Sequence, residues 1–176
     1  ESPANQVRFD KTGKNVLAAL RKGQIQIWQV GSLFQWESIK AHDRAISRLG
    51  LTPDRKHLLT ASMDKTMKLW NLQSKLEEKN FDTNNHRVQS LEFSPIGTSF
   101  VTGGADAKIL FWDLDQDEPA SELSGHQGRV NAISFSKDNK EVLVKVSKSN
   151  DNEVIINILD EGEGFKENDT SKIFKR

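Results

Sequence analysis

The chain has 176 residues, with 25 Lys+Arg against 25 Asp+Glu and no cysteine. Balanced charge leaves no net field to steer nucleic acid or an acidic membrane, and no apolar run approaches the roughly 18 residues of a membrane span. Without cysteine there are no disulfides and no Cys-ligated zinc, a composition that suits an intracellular protein, cytoplasmic or nuclear.

The chain opens on ESPANQVRFD, which has neither the basic nor the apolar segment of a signal peptide. It lacks an initiator Met, so further residues upstream are expected. NQVRF reads as a strand, Lys11-Thr12-Gly13 as a turn, NVLAAL and QIQIWQV as two more strands, and SLFQWESI as an outer one. Together they make a first unit, residues 1–40, cut into at its start. The second unit, 41–81, opens on His42 and continues as AISRLGL, a Pro53-Asp54 turn, HLLTAS, a turn holding Asp64, and TMKLWNL. The third, 82–123, runs through VQSLEF, a Pro95-Ile96-Gly97 turn, SFVTGG, Asp106 and KILFWDL. The fourth, 124–176, opens on Gly125-His126, continues as VNAISF, turns at Asp138-Asn139 and enters EVLVKV. It ends in a polar segment whose SKIFK is expected to be its outermost strand.

Trp28, Trp70 and Trp112 stand 42 residues apart. A period of about 40–45 residues ending on Trp-Asp or a near relative is the signature of a β-propeller blade. Asp64 and Asp106 both lie six residues before their Trp. Asn157 takes the Trp position of the fourth unit, with Asp151 six before it and a three-residue insertion at Lys148-Ser149-Asn150. Apolar residues on both faces, as in ILF before Trp112, fit sheets packed on two sides. No segment sustains helical periodicity. The expected fold is an all-β propeller with about four blades present.

With these motifs the chain resembles the WD-repeat (WD40) β-propeller family over about residues 4–160. The resemblance implies four-stranded antiparallel blades around a channel, usually seven of them, with the remaining blades supplied by further sequence or by another chain. It also implies a buried hydrogen-bond relay in each blade. The second unit matches with His42, Thr60 (or Ser62), Asp64 and Trp70. The third has Thr102, Asp106 and Trp112, with Asn84 in the His position and His86 displaced by two. The fourth has His126 and Asp151. The first has Trp28 but Lys22 in place of Asp.

By the same in-phase transfer, one rim is lined by Ser47, Gln89 and Asn131, by Ala45, Arg87 and Arg129, and by Arg21, Met63, Ala105 and Asn150. Arg87 and Arg129 fall in equivalent positions of successive units, a surface suited to an acidic peptide or a backbone phosphate.

A His beside an Asp and a Thr also invites a catalytic-triad reading, but a triad needs a nucleophile open to substrate. Here the trio recurs at repeat spacing and ends on a core Trp, which suits a structural relay. Asp113–Glu118 starts like a calcium loop but has Glu118 at the sixth position and Ser124 at the twelfth. Gly103-Gly104-Ala105-Asp106 is followed by no Gly-Lys-Ser/Thr. The four histidines have no metal-ligand spacing, and Asn168-Asp169-Thr170 reads as a chance sequon. No catalytic residue, cofactor or metal is expected. The expected role is a non-catalytic scaffold or adaptor within a multi-subunit complex, binding other proteins and no membrane. The rivals are an RNA- or ribonucleoprotein-associated propeller, and a repeat or sensor region of a larger enzyme.

Overall fold

The computed structural model describes residues 2–32, 36–83, 85–96, 98–124, 127–135, 141–147 and 153–159. Asn84, His126, Asn150, Asp151, Asn168 and the SKIFK segment lie outside the described residues. Fifteen strands and no helix occur among the described residues, in sheets whose strands follow chain order.

The strands of sheet one are β1 (Ala4–Phe9), β2 (Asn15–Leu20), β3 (Gln24–Gln29) and β4 (Trp36–Lys40). Sheet two has β5 (Ile46–Leu51), β6 (His57–Ser62), β7 (Thr66–Asn71) and β8 (Glu77–Asp82). In sheet three are β9 (Val88–Phe93), β10 (Ser99–Gly104), β11 (Ile109–Asp113) and β12 (Ser121–Leu123). Sheet four contributes β13 (Val130–Phe135), β14 (Glu141–Ser147) and β15 (Glu153–Leu159). Every pairing is antiparallel.

The chain divides into two compact units, residues 1–85 and 86–176, each holding two sheets. In the first unit, Leu17, Ala19 and Ile25 of sheet one share a core cluster with Ile46, Leu49, Leu58 and Trp70 of sheet two. Each large aliphatic side chain buried there contributes about 1.5–3 kcal/mol. In the second unit, Val101, Ile109, Phe111 and Leu123 of sheet three pack with Val130 and Ile133 of sheet four. Phe100 stacks on Trp112 with centroids 5.9 Å apart.

One irregularity repeats with the sequence period. In each innermost strand the register slips by one, leaving a single residue as a β-bulge: Asn5, Ser47, Gln89 and Asn131. These four residues are 42 positions apart. A bulge re-aims the backbone and leaves a carbonyl seeking a partner. Side chains of the preceding sheet supply it: Asn5 Nδ2 donates to the Ile46 carbonyl (2.8 Å) and Ser90 Oγ to the Val130 carbonyl (3.0 Å).

The pairing corrects one expectation about the fourth unit. Val16, Leu58 and Phe100 face Trp28, Trp70 and Trp112, whereas Val142, their counterpart, faces Ile158 rather than Asn157. The insertion is therefore four residues, and the count back by six reaches Asn152 instead of Asp151.

Sheet one departs from the others on its face away from sheet two. Phe9, Val16 and Trp28 align across its strands, with Val7 two residues along from Phe9. Val7 is 51% exposed, Phe9 57% and Trp28 43%, against 6% for Trp70 and 2% for Trp112.

Candidate functional site

The His–Thr–Asp–Trp set of sheet two is assembled from strands β6 and β7 and from two connections, β4–β5 and β6–β7. β6 carries Thr60 on its buried face, and β7 brings Trp70 alongside, so that the indole Nε1–H donates to Thr60 Oγ1 (3.0 Å). His42 precedes β5 and places Nε2 2.7 Å from the same hydroxyl. Its Nδ1 lies 2.9 Å from Asp64 Oδ2 in the β6–β7 turn. Thr60, rather than the alternative Ser62, is the hydroxyl in the set. Ser62 donates to the carbonyls of Arg44 and Ala45, bracing the connection that carries His42.

Thr66 joins the set as well. Its hydroxyl donates to Asp64 Oδ1 (2.7 Å) and its N–H to the same oxygen (3.0 Å). A Thr two residues beyond the Asp, at the start of a strand, was the only signal for it. Burial lowers the His42 pKa below its usual 6.5, overcoming the opposing pull of Asp64. Burial raises that of Asp64, but donors from Thr66 together with His42 outweigh it and leave the carboxyl below 3.8. The imidazole is thus neutral near pH 7: Nδ1–H donates to Asp64 and Nε2 accepts the Thr60 hydroxyl proton.

Sheet three repeats the arrangement with a different entry. Trp112 Nε1 donates to Thr102 Oγ1 (2.9 Å), His86 Nε2 lies 3.2 Å from that oxygen, and His86 Nδ1 is 3.0 Å from Asp106 Oδ2. The displaced His86 therefore fills the role that phase assigned to Asn84. The physical reason lies at Gly104, which occupies the position of Ser62. A Cβ there would overlap the His86 ring, whereas sheet two carries Ser62 at that position and its histidine two residues earlier in a connection of the same length. Sheet one has no such set. Ala18 stands where Thr60 and Thr102 stand, and the exposed Trp28 has no hydroxyl opposite it. In sheet four the register places Val144 in the Thr position, again without a hydroxyl.

The arrangement offers little chemistry. Thr60 and Thr102 are fully buried, so neither hydroxyl is open to a substrate. Among the described residues no group of three His, Cys, Asp or Glu side chains is placed to hold a metal.

The expected rim residues fall differently. Met63, Arg21, Arg87, Arg129 and Asn131 are exposed, and Gln89 is half-buried. Ser47 is not open on a rim: it is buried, and its short side chain turns back to donate to the Ala61 carbonyl (3.1 Å). Arg21 reaches Asn5 (3.4 Å), a bulge residue that the abbreviated first unit hid from the repeat count. Arg87 and Arg129 each sit one residue before an inner strand, β9 and β13, which pack against each other. The Arg87 carbonyl accepts the Ala105 N–H (2.9 Å), as Ala45 accepts that of Met63.

No curated protein matches the chain. The family model for the WD domain, G-beta repeat, matches residues 35–71, 77–113 and 117–156. Each match begins near the outer strand of one sheet and ends near the third strand of the next, joining consecutive sheets in sequence. These repeats cover more than half of the chain, which therefore belongs to the WD40 family of β-propeller proteins.

Proposed function

We propose that this protein is a non-catalytic scaffold subunit that holds a partner protein on the end of its inner strands. WD40 repeats generally serve as protein-interaction scaffolds and are generally non-catalytic modules. The observation that carries the proposal is the pair Arg87 and Arg129, exposed at matching positions before the adjacent strands β9 and β13. Neither guanidinium has a side-chain hydrogen bond or ion pair among the described residues. Two uncommitted guanidiniums beside Asn131 suit the carboxylates of an acidic segment, each able to take a bidentate contact.

The exposed row of Val7, Phe9 and Trp28 receives a further blade, from additional sequence or from another chain. Its combination of large apolar groups on an otherwise ordered sheet face supports that part of the reading. The site of action is inside the cell, in keeping with the absence of cysteine.

The test is a double Arg87→Ala/Arg129→Ala variant, purified with its partners from cells. Unchanged melting with loss of a partner supports the proposal; the same partners at the same yield remove this rim as the interface. A partner lost with a steep salt dependence and released by nuclease would favour the nucleoprotein reading instead.

A further inference from the structure

The first unit carries a groove at the end remote from Arg21 and Met63. It is enclosed by three turns, Asp10–Asn15 between β1 and β2, 52–57 between β5 and β6, and 71–76 between β7 and β8. Its volume is about 790 Å³, within the range of sites that hold peptides and small ligands. Ile27 and Leu72, both half-buried, supply an apolar floor above the buried Leu17.

The charges around this floor are unevenly committed. Both oxygens of Asp10 accept from Thr12, one from the Asn15 N–H and the other from Asn15 Nδ2. Glu37 is paired with Lys75. The cations are less engaged. Arg55 makes one long bond, to the Asp10 carbonyl (3.3 Å), Lys56 is 3.9 Å from Asp54, and Lys11 has no ion pair among the described residues.

The backbone marks Arg55 as well. It adopts φ +54°, in the left-handed region that L side chains resist. One repeat earlier the same turn position is Gly13, at φ +68°, and in the sequence Gly97 follows Arg55 by 42 residues. Sheet two thus carries a guanidinium where a glycine would be more stable, and directs it across the groove. Lys65, Lys75, Asn85 and Ala107 share the left-handed conformation, and what sets Arg55 apart is the glycine at the equivalent position of the preceding repeat.

We infer that this groove docks an acidic segment of a partner protein, with carboxylates on Arg55, Lys56 and Lys11 and an apolar side chain on Ile27 and Leu72. The inference rests on the protein-binding reading of the fold but on a surface separate from the Arg87/Arg129 rim.

The test selects a phage-displayed library of random dodecapeptides on the full chain, then measures the enriched peptides by fluorescence polarisation. The expected peptides place Asp or Glu within two residues of Leu, Ile, Val or Phe. Arg55→Gly and Arg55→Asn both suit the left-handed turn, so they fold while removing the charge. Each should weaken binding about tenfold, the effect of one lost charge-assisted contact. Arg87→Ala/Arg129→Ala should bind these peptides as the parent does. If that rim variant fails in cells while Arg55→Gly still binds its peptides as well as the parent, the rim proposal stands and this one falls. Enrichment of peptides without acidic residues would also overturn it. So would Arg55-dependent binding of a polyuridine 20-mer with no acidic peptide enriched, which would assign the groove to phosphates.

Discussion

Gly104 lies against the imidazole of His86, so that a Cβ on the glycine would stand 2.5 Å from Nδ1 and overlap the ring. The two residues jointly replace Ser62 and the histidine placed two residues earlier in the connection of sheet two. Gly104→Ala should therefore push His86 away from Thr102 and Asp106, destabilising the protein by about 1–3 kcal/mol. In a His86→Ala background the same change should cost less, since only the Asp106 carboxylate then stands in the way, a non-additivity that a double-mutant cycle by denaturant unfolding would measure. Additive effects would show that the two positions are not coupled.

Removing Asp64 strips His42 Nδ1 and Thr66 of their acceptor in a largely buried site. Asp64→Ala is expected to lower stability by about 1–3 kcal/mol, and Thr60→Val by a similar amount. Asp106→Ala should cost less, because the Asp106 side chain is 34% exposed against 15% for Asp64 and water replaces the lost partner. Lys22→Ala, at the corresponding position of sheet one, should stay within about 0.5 kcal/mol. Thermal unfolding of the four variants gives the order directly.

His42 makes stability depend on pH. Burial holds its folded-state pKa below 6.5, so between the two values the unfolded chain binds more protons. Its contribution is complete above pH 6.5 and is lost as the pH falls through the folded-state value. Asp64, also lowered, acts in the same direction: its contribution is present above pH 3.8 and lost on further acidification. The melting temperature should drop as the pH falls below about 6.5, and His42→Gln should flatten that drop. An unchanged slope in the variant would assign the titration to another group.

The repeat and the strand order were legible because Trp28, Trp70 and Trp112 and the hydroxyls of Thr60 and Thr102 recur in step with their neighbours. What escaped did so for local reasons. The two-residue shift of the histidine and the glycine at position 104 act together, and neither change alone announces the other. Asn157 fits a three-residue insertion in sequence, but only pairing with Val142 reveals that Ile158 holds the position. β8, EEKNFD, buries only Phe81, so as an edge strand facing water it lacks the apolar alternation of the other strands. Ser47 lies at a bulge, where alternation fails and exposure cannot be counted from the neighbours. The Arg55 groove combines three separate turns, none of which carries a motif.

Arg55→Gly has a second consequence, apart from any ligand. It removes a left-handed non-glycine residue and should raise stability by about 1 kcal/mol, offset in part by the weak bond to the Asp10 carbonyl. A variant that melts higher than the parent would show that the native arginine is held at a thermodynamic disadvantage. A lower melting point would show that Arg55 contributes more to the fold than its single long bond suggests.

The bulges at Asn5, Ser47, Gln89 and Asn131 give the chain a reading frame of 42 residues. Excising residues 47–88 would seat Gln89 directly after Ile46, with the unpaired residue still second in its strand and every later side chain on its original face. Removing one residue more or fewer would invert the faces of the joined strand. Whole cassettes can thus be gained or lost by recombination without disturbing the strands they join, whereas a single-codon slip cannot.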